Sequence, residues 1–290
     1  MDAPPDPATH ADAVRSWLTA LVGAEHLSLL IGSGLGIGIA AAAETTGLSM
    51  EKAALILDEA THVEAHAHAS AKAAGRGNAN IEDQLSSALQ LLAGLEVLEP
   101  NSQRTAAWRK QLAEILTDFA KRGLAAEEAI RQAIDRDEAH GQRAADLLVG
   151  FLLAFASRPP SRERLNLFTT NYDRLIEYGC DLGGVRVLDR FVGSVEPVFR
   201  SSRLDLDLHY NPPGIRGEPR YLEGVIRLCK LHGSLDWRFE SGGLRRLPLA
   251  FGGEDPTLER DALHRLIIYP NAAKDVHTLL FPYAELFRDL

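Results

Sequence analysis

The residues best suited to chemistry lie in three short blocks. Lys230-Leu231-His232-Gly233-Ser234-Leu235-Asp236-Trp237 puts a histidine directly before a glycine, at the end of an apolar run. Near neutral pH an imidazole can take a proton from water or from a sugar hydroxyl. Phe168-Thr169-Thr170-Asn171-Tyr172-Asp173 ends another run in an amide, Asn171, which can donate and accept at once. Asp173 can cap the helix that follows. The third block is Gly32-Ser33-Gly34-Leu35-Gly36-Ile37-Gly38, directly after Leu27–Ile31. Where a strand turns sharply into a helix, backbone N–H groups and the positive helix end converge on one point. That point suits a pyrophosphate, and glycine lets the phosphate come close. The dinucleotide fingerprint of dehydrogenases needs a glycine where Ile37 stands, so this loop departs from that pattern. Each block alone has a plainer reading: a tight turn, a helix cap, a structural histidine. Their combination is what carries specificity.

The elements that must position these blocks follow from periodicity. Thr9 can cap a helix to about Val22, with Val14, Trp17, Leu18 and Leu21 on one face. Leu27–Ile31 reads as a buried strand, and Ile39–Glu44 as helical. From Ser49 to about Ser157 the pattern is helical throughout. Met50–Ala73 comes first, then a face of Ile81, Leu85, Ala88, Leu89 and Leu92. A Ser102-capped helix carries Trp108, Leu112, Ile115, Leu116 and Phe119, and two more helices span Ala125–His140 and Arg143–Ala156. Trp108 and Phe119 read as core. Pro159-Pro160 closes the stretch. Strands are expected at Leu165–Thr169, Val185–Leu188 and Val225–Leu231, with a helix over Arg174–Leu182. Leu204, Leu206 and Leu208 alternate with polar residues, as on an edge strand. Trp237–Phe239 and Arg245–Leu247 suggest a hairpin across Gly242-Gly243, Leu266–Tyr269 a last strand, and Tyr283–Leu290 a helix. The predicted fold is α/β: one open, mostly parallel, Rossmann-like sheet from residues 25–45 and 161–290, with an all-helical module, residues 47–158, inserted into it. All three blocks would then sit at carboxyl ends of strands, where such sheets bind ligands.

Composition narrows the function classes. The chain has 290 residues, 46% of them hydrophobic, enough for a sizeable core. Met1–Pro7, with three prolines and two aspartates, cannot pack. The net charge is -9, which argues against direct nucleic-acid binding through phosphates, and Arg245-Arg246 is too small a basic patch for it. Residues 1–160 carry 13 basic and 21 acidic side chains and residues 161–290 carry 18 and 19, so the half bearing two of the blocks does not repel an anionic small molecule. Two distant cysteines, Cys180 and Cys229, exclude a four-cysteine zinc site and suit a reducing, cytoplasmic location. No leader is recognisable, and no apolar run approaches the roughly 20 residues of a membrane span. His62, His66 and His68 surround Glu64 without the HExxH spacing of a zinc helix and are read as exposed helical residues.

Taken in order, the glycine loop, Thr170-Asn171-Tyr172-Asp173 and Leu231-His232-Gly233-Ser234 resemble the signatures of bacterial sirtuin-like proteins of anti-phage defence, in the wider silent-information-regulator family. Asn80-Ile81-Glu82-Asp83-Gln84-Leu85-Ser86 resembles a further stretch of these proteins, and the likeness spans about residues 25–290. There are departures. Gly36 stands where deacetylase members carry Ser or Thr, Thr170 where they carry Gln, and the arginine after their glycine loop has no clear counterpart. Their zinc-binding cysteine pairs are missing, and a terminal Gly-Tyr-Ser-type block that contacts adenosine in the family would lie after Leu290.

The resemblance implies an NAD glycohydrolase that splits NAD, as substrate, into nicotinamide and ADP-ribose without zinc. Asn171, His232 and Asp173 are the implied catalytic residues. Gly32, Ser33, Gly34, Leu35, Thr170, Gly233 and Ser234 are the implied NAD-binding residues. The resemblance also implies a homo-oligomer, and a partner such as a HerA-like ATPase or an Argonaute. Two alternatives stand beside it: a non-enzymatic NAD or ADP-ribose sensor that gates a partner, and a zinc-independent protein deacylase.

Overall fold

The computed structural model describes residues 7–136, 138–159, 162–200, 206–211, 220–240, 243–261 and 265–267. The fold is mixed α/β around a four-stranded, fully parallel sheet. Its strands are β1 (Ser28–Ile31), β2 (Leu165–Thr169), β3 (Arg186–Leu188) and β8 (Val225–Lys230), in the order β1-β2-β8-β3. In β2 the side chains of Leu165, Leu167 and Thr169 are buried on one face, as the two-residue strand period requires. Helices α2 (Gly34–Ala42), α6 (Ala139–Ala156) and α7 (Leu175–Gly183) pack Ile39, Leu148, Leu152, Leu175 and Ile176 with these strands in one apolar core.

A second core lies between α3 (Ala60–Ala73), α4 (Ile81–Leu98) and α5 (Gln103–Asp135), built on Ile81, Leu85, Trp108, Leu112 and Phe119. The two cores share α5. At 33 residues it spans about 50 Å, with Trp108 and Phe119 in the second core and Ile130 and Ala133 in the first. The sequence suggests two helices here, but no proline interrupts 103–135 and the single glycine is a packing residue. A Cβ on Gly123 would lie 2.7 Å from Leu235 Cδ1, so α5 approaches strand β9 (Gly233–Glu240) only because that side chain is absent. Among the described residues of 47–158 the regular elements are α3, α4, α5 and α6, and α6 belongs to the same core as the parallel sheet.

The expectation of a single sheet does not hold. β4 (Phe191–Val192), β5 (Val198–Phe199), β9, β10 (Gly243–Arg246) and β11 (Arg265–Ile267) form a separate antiparallel sheet in the order β11-β9-β10-β5-β4. The short connections from β4 to β5 and from β9 to β10 permit antiparallel pairing, since parallel neighbours need a crossover of about a dozen residues or more. The β9–β10 hairpin appears as expected, with Trp237 opposite Arg246 and Phe239 opposite Leu244. Leu206–Leu208 carries no strand; β6 (His209–Tyr210) follows it and pairs with β7 (Arg220–Tyr221). Leu204, Gly242, Ile268, Tyr269 and the expected helix 283–290 lie outside the described residues.

Smaller differences have local causes. The first helix, α1 (Pro7–Val22), starts at proline, a residue suited to a first helical turn, so Thr9 lies inside it. Its apolar face of Val14, Trp17, Leu18 and Leu21 is exposed. The glycine run is mostly helix: only Gly32 and Ser33 turn, and Gly34 already opens α2, whose Ile39 and Ala40 are anchored in the core. Helix α3 begins only at Ala60, with residues 49–56 running as a non-helical approach to it. Among the described residues, no helix is long and apolar enough to cross a membrane.

Candidate active site

Three neighbouring parallel strands end in register, and their ends carry the three blocks. Ile31 pairs with Thr169, and Thr169 pairs with Lys230. The residues that follow, Gly32, Thr170 and Leu231, therefore emerge side by side. The Thr169 hydroxyl holds the junction, donating to the Ile31 carbonyl at 2.9 Å and accepting from the Asn171 N–H at 3.1 Å. The Leu231 N–H donates to the Thr169 carbonyl at 2.8 Å. Sequence alone assigns Thr169 no role, because a buried threonine at a strand end looks like any β-former.

Asn171 is 8% exposed and ties the first two blocks together. Its Nδ2 donates to the Gly32 carbonyl at 3.1 Å, which also accepts the Leu35 N–H at 3.3 Å. That bond uses one of the two N–H groups of the amide; the carbonyl side of the amide remains available as an acceptor by its chemistry. Asp173 accepts the Leu175 N–H at 3.1 Å, so it satisfies the first amide of α7 as a capping residue would, although it stands one residue before the N-cap, Arg174. Tyr172 points away into the second core. Its hydroxyl donates to Glu82 Oε1 at 2.5 Å and its ring meets the edge of Phe119 at 5.7 Å.

The third block turns sharply. Gly233 has φ of 92°, a backbone conformation that disfavours side-chain-bearing residues, and it lets the chain pass straight from β8 into the antiparallel β9. His232, 8% exposed, is held just before this reversal with its ring 6.2 Å from that of Tyr172. Ser234 is fully buried and its hydroxyl donates to the Tyr172 carbonyl at 3.4 Å.

These segments surround a cavity of about 210 Å³. Ser33, Gly36 and Ile37 line it from the glycine turn and α2, Thr170–Asp173 from the end of β2, and His232 from the end of β8. Of the predicted site residues, Ser33, Thr170, Asn171, Asp173 and His232 thus share one wall. Gly32 holds Asn171 from behind, Gly34 opens α2, Leu35 packs against the first core, and Gly233 and Ser234 begin β9. The opposite wall comes from Leu48, Met50, Asn80 and Glu82. Asn80 sits there as the cap of α4: its Oδ1 accepts from the N–H groups of Glu82 at 2.9 Å and Asp83 at 3.2 Å, while Asp83 accepts the Asn80 N–H at 3.1 Å. The Asn-x-x-Asp spacing announces that capping box in the sequence, but not that the capped end faces His232.

A buried charge network braces the site from outside. Lys230, 3% exposed, donates to the carbonyls of Asp173 and Tyr172 and to Glu177 Oε1 at 3.1 Å. Burial pushes the Glu177 carboxyl above its ordinary range, against the pull of Lys230. Arg174 pairs with Glu127 of α5. Glu127 also accepts the N–H groups of Arg174 at 2.8 Å and Gly252 at 3.1 Å. These partners are tens of residues apart, with no local signal to find them. Cys180 is buried, which pushes its thiol up to about 12 and leaves it protonated and inert as a nucleophile. Glu64 is engaged by Lys52 and Gln84, and His66 Nδ1 lies 2.9 Å from the Ser87 hydroxyl. Among the described residues, no group of three or more His, Cys, Asp or Glu is placed to hold a metal ion. Comparison of the chain with protein-family models found no match, and neither did comparison with curated proteins.

Proposed function

We propose that this protein is an NAD glycohydrolase with a Rossmann-like, sirtuin-like site. The observation that carries the reading is the single cavity walled by Ser33, Asn171 and His232, at the carboxyl ends of adjacent parallel strands. Open parallel sheets bind ligands at that edge. At about 210 Å³ the cavity would enclose only the nicotinamide ribose, since pockets for whole drug-sized ligands run to roughly 300–1,000 Å³. The pyrophosphate would lie outward, over the start of α2. An added Cβ at Gly32 or Gly34 meets nothing within 4 Å there, so the backbone is open to approach, and the first N–H groups of a helix have no partner within it.

In this reading the C–N bond between ribose and nicotinamide breaks with its electron pair going to the pyridinium nitrogen. Nicotinamide leaves neutral and needs no strong general acid. Water adds to the oxocarbenium-like carbon and His232 takes the proton it loses. Asn171, pinned through Gly32, positions the ribose hydroxyls or the water. Asp173 and Lys230 keep the Asn171 loop in place. The reading extends to NAD depletion in anti-phage defence and to action as an oligomer or with a partner protein. A cell cannot tolerate unrestrained NAD loss, so the isolated chain should turn over slowly.

The test is prolonged incubation of the purified chain with NAD, with products separated by chromatography. Nicotinamide and ADP-ribose in equal amounts, abolished in His232→Ala, is the expected result. NAD binding with no product, unchanged in His232→Ala, would favour a sensor instead. Cleavage of an acyl-peptide dependent on NAD would favour a deacylase.

A further inference from the structure

A second and much larger cavity, about 870 Å³, opens on the other side of the β8–β9 turn, between α7, the edge strand β3 and the antiparallel sheet. Its buried cations are engaged: Lys230 with Glu177 and the Tyr172 and Asp173 carbonyls, Arg246 with Asp189, and Arg174 with Glu127 and the carbonyls of Leu249 and Ala250, while Arg186 lines the cavity from the exposed face of β3. Two of its buried acids each keep one oxygen without a donor. Asp236 is 6% exposed and its Oδ1 has no hydrogen-bond partner; Glu177 Oε2, also buried, has none either. Asp236 is close enough to raise the proton affinity of both Glu177 and Asp189, so the three acids share one field. Buried polar atoms are nearly always satisfied, and a bare carboxylate oxygen calls for a donor.

The apolar part of the wall says what that donor is attached to. Phe191 and Trp237, 5.3 Å apart, line the same cavity as Asp236, and the guanidinium of Arg246 already lies 5.1 Å from the Phe191 ring centre. Tyr178 and Phe251 stack at 4.2 Å on the far side. Acceptor oxygens without donors, beside aromatic faces that attract cations, select a flat cation with several N–H groups. The volume falls within the range of small-molecule sites.

We infer that this cavity is a binding site for a small organic cation of the amidinium or guanidinium class, held by the carboxylates of Asp236 and Glu177 with its apolar part against Phe191 and Trp237. The inference is independent of the activity proposed for the smaller cavity, because it rests on other side chains. The two sites are nevertheless mechanically close. Lys230 and Asp236 flank the segment that carries His232, and Lys230 holds the carbonyls of Tyr172 and Asp173.

The test is calorimetric titration of the purified chain with three ligands of one shape: benzamidine, benzamide and benzoate. Benzamidine should bind about tenfold or more tightly than benzamide, the difference between a charge-assisted and a neutral pair of bonds, and benzoate should give no heat. Asp236→Asn should weaken benzamidine about tenfold and narrow its lead over benzamide. Equal binding of benzamidine and benzamide overturns the inference, as does no binding of benzamidine by the wild-type chain. The wild-type series decides the matter even if Asp236→Asn does not fold.

Discussion

The Glu127–Arg174 pair offers the sharpest test of how the site is held. Glu127 is 2% exposed and receives Arg174 through its backbone N–H, its Nε at 3.2 Å and a terminal nitrogen, along with the Gly252 N–H. Glu127→Leu therefore strands a buried guanidinium, although the Leu249 and Ala250 carbonyls still accept from it. Removing one partner of a buried ion pair costs about 3–5 kcal/mol, and each of the two backbone N–H groups left without an acceptor adds to that cost. Replacing both partners by apolar residues of similar volume is often close to neutral. Here the two orphaned N–H groups remain, at about 1–3 kcal/mol each, so only part of the loss can be recovered. Adding Arg174→Met to Glu127→Leu should thus restore about 1–3 kcal/mol relative to the single variant, although it removes a further side chain. Urea unfolding followed by tryptophan fluorescence measures all three chains. The reasoning fails if Glu127→Leu costs less than about 1 kcal/mol, or if the second substitution makes the loss larger.

Other expectations follow from the same geometry. Asn171→Ala should abolish any NAD cleavage and also lower stability by about 0.5–1.5 kcal/mol, because the Gly32 carbonyl loses a donor; unchanged unfolding in that variant would remove the pinning role. His232→Ala should reduce NAD cleavage by about 10²–10⁴ while its secondary structure, read by circular dichroism, stays intact. Asp173→Ala removes the acceptor for Leu175 N–H and should lower both thermal midpoint and activity, at about 0.5–2 kcal/mol. Glu59 accepts the Trp108 indole N–H at 2.6 Å, which with its other partners holds its carboxyl below the ordinary value of 4.5. Its folded pKa is depressed, so its contribution is fully present above pH 4.5 and is lost as pH falls through the folded value. Stability measured across that acid window should fall less steeply in Glu59→Gln than in the parent chain.

What could be read from the residues was whatever depends on local pattern. Leu165-Asn166-Leu167-Phe168-Thr169 alternates and is bounded by polar residues, so β2 and its polar tip were legible, as were β8 before His232 and the hairpin from β9 to β10. The α/β class and the position of the three blocks at strand ends came from the same signals. The start of the long helix α5 was legible because Ser102 announces its cap. Local pattern could not decide which strands share a sheet, because pairing depends on partners far apart in the chain: β8 and β9 are separated only by Leu231 and His232, yet they belong to different sheets. Nor could it show that the Asn80 cap faces His232, or that Lys230 and Arg174 brace the Asn171 loop through Glu177 and Glu127. Those placements arise from the burial of charge, which forces each cation to find whatever carboxylate the packed helices bring near it, and no spacing in the sequence records which one that is.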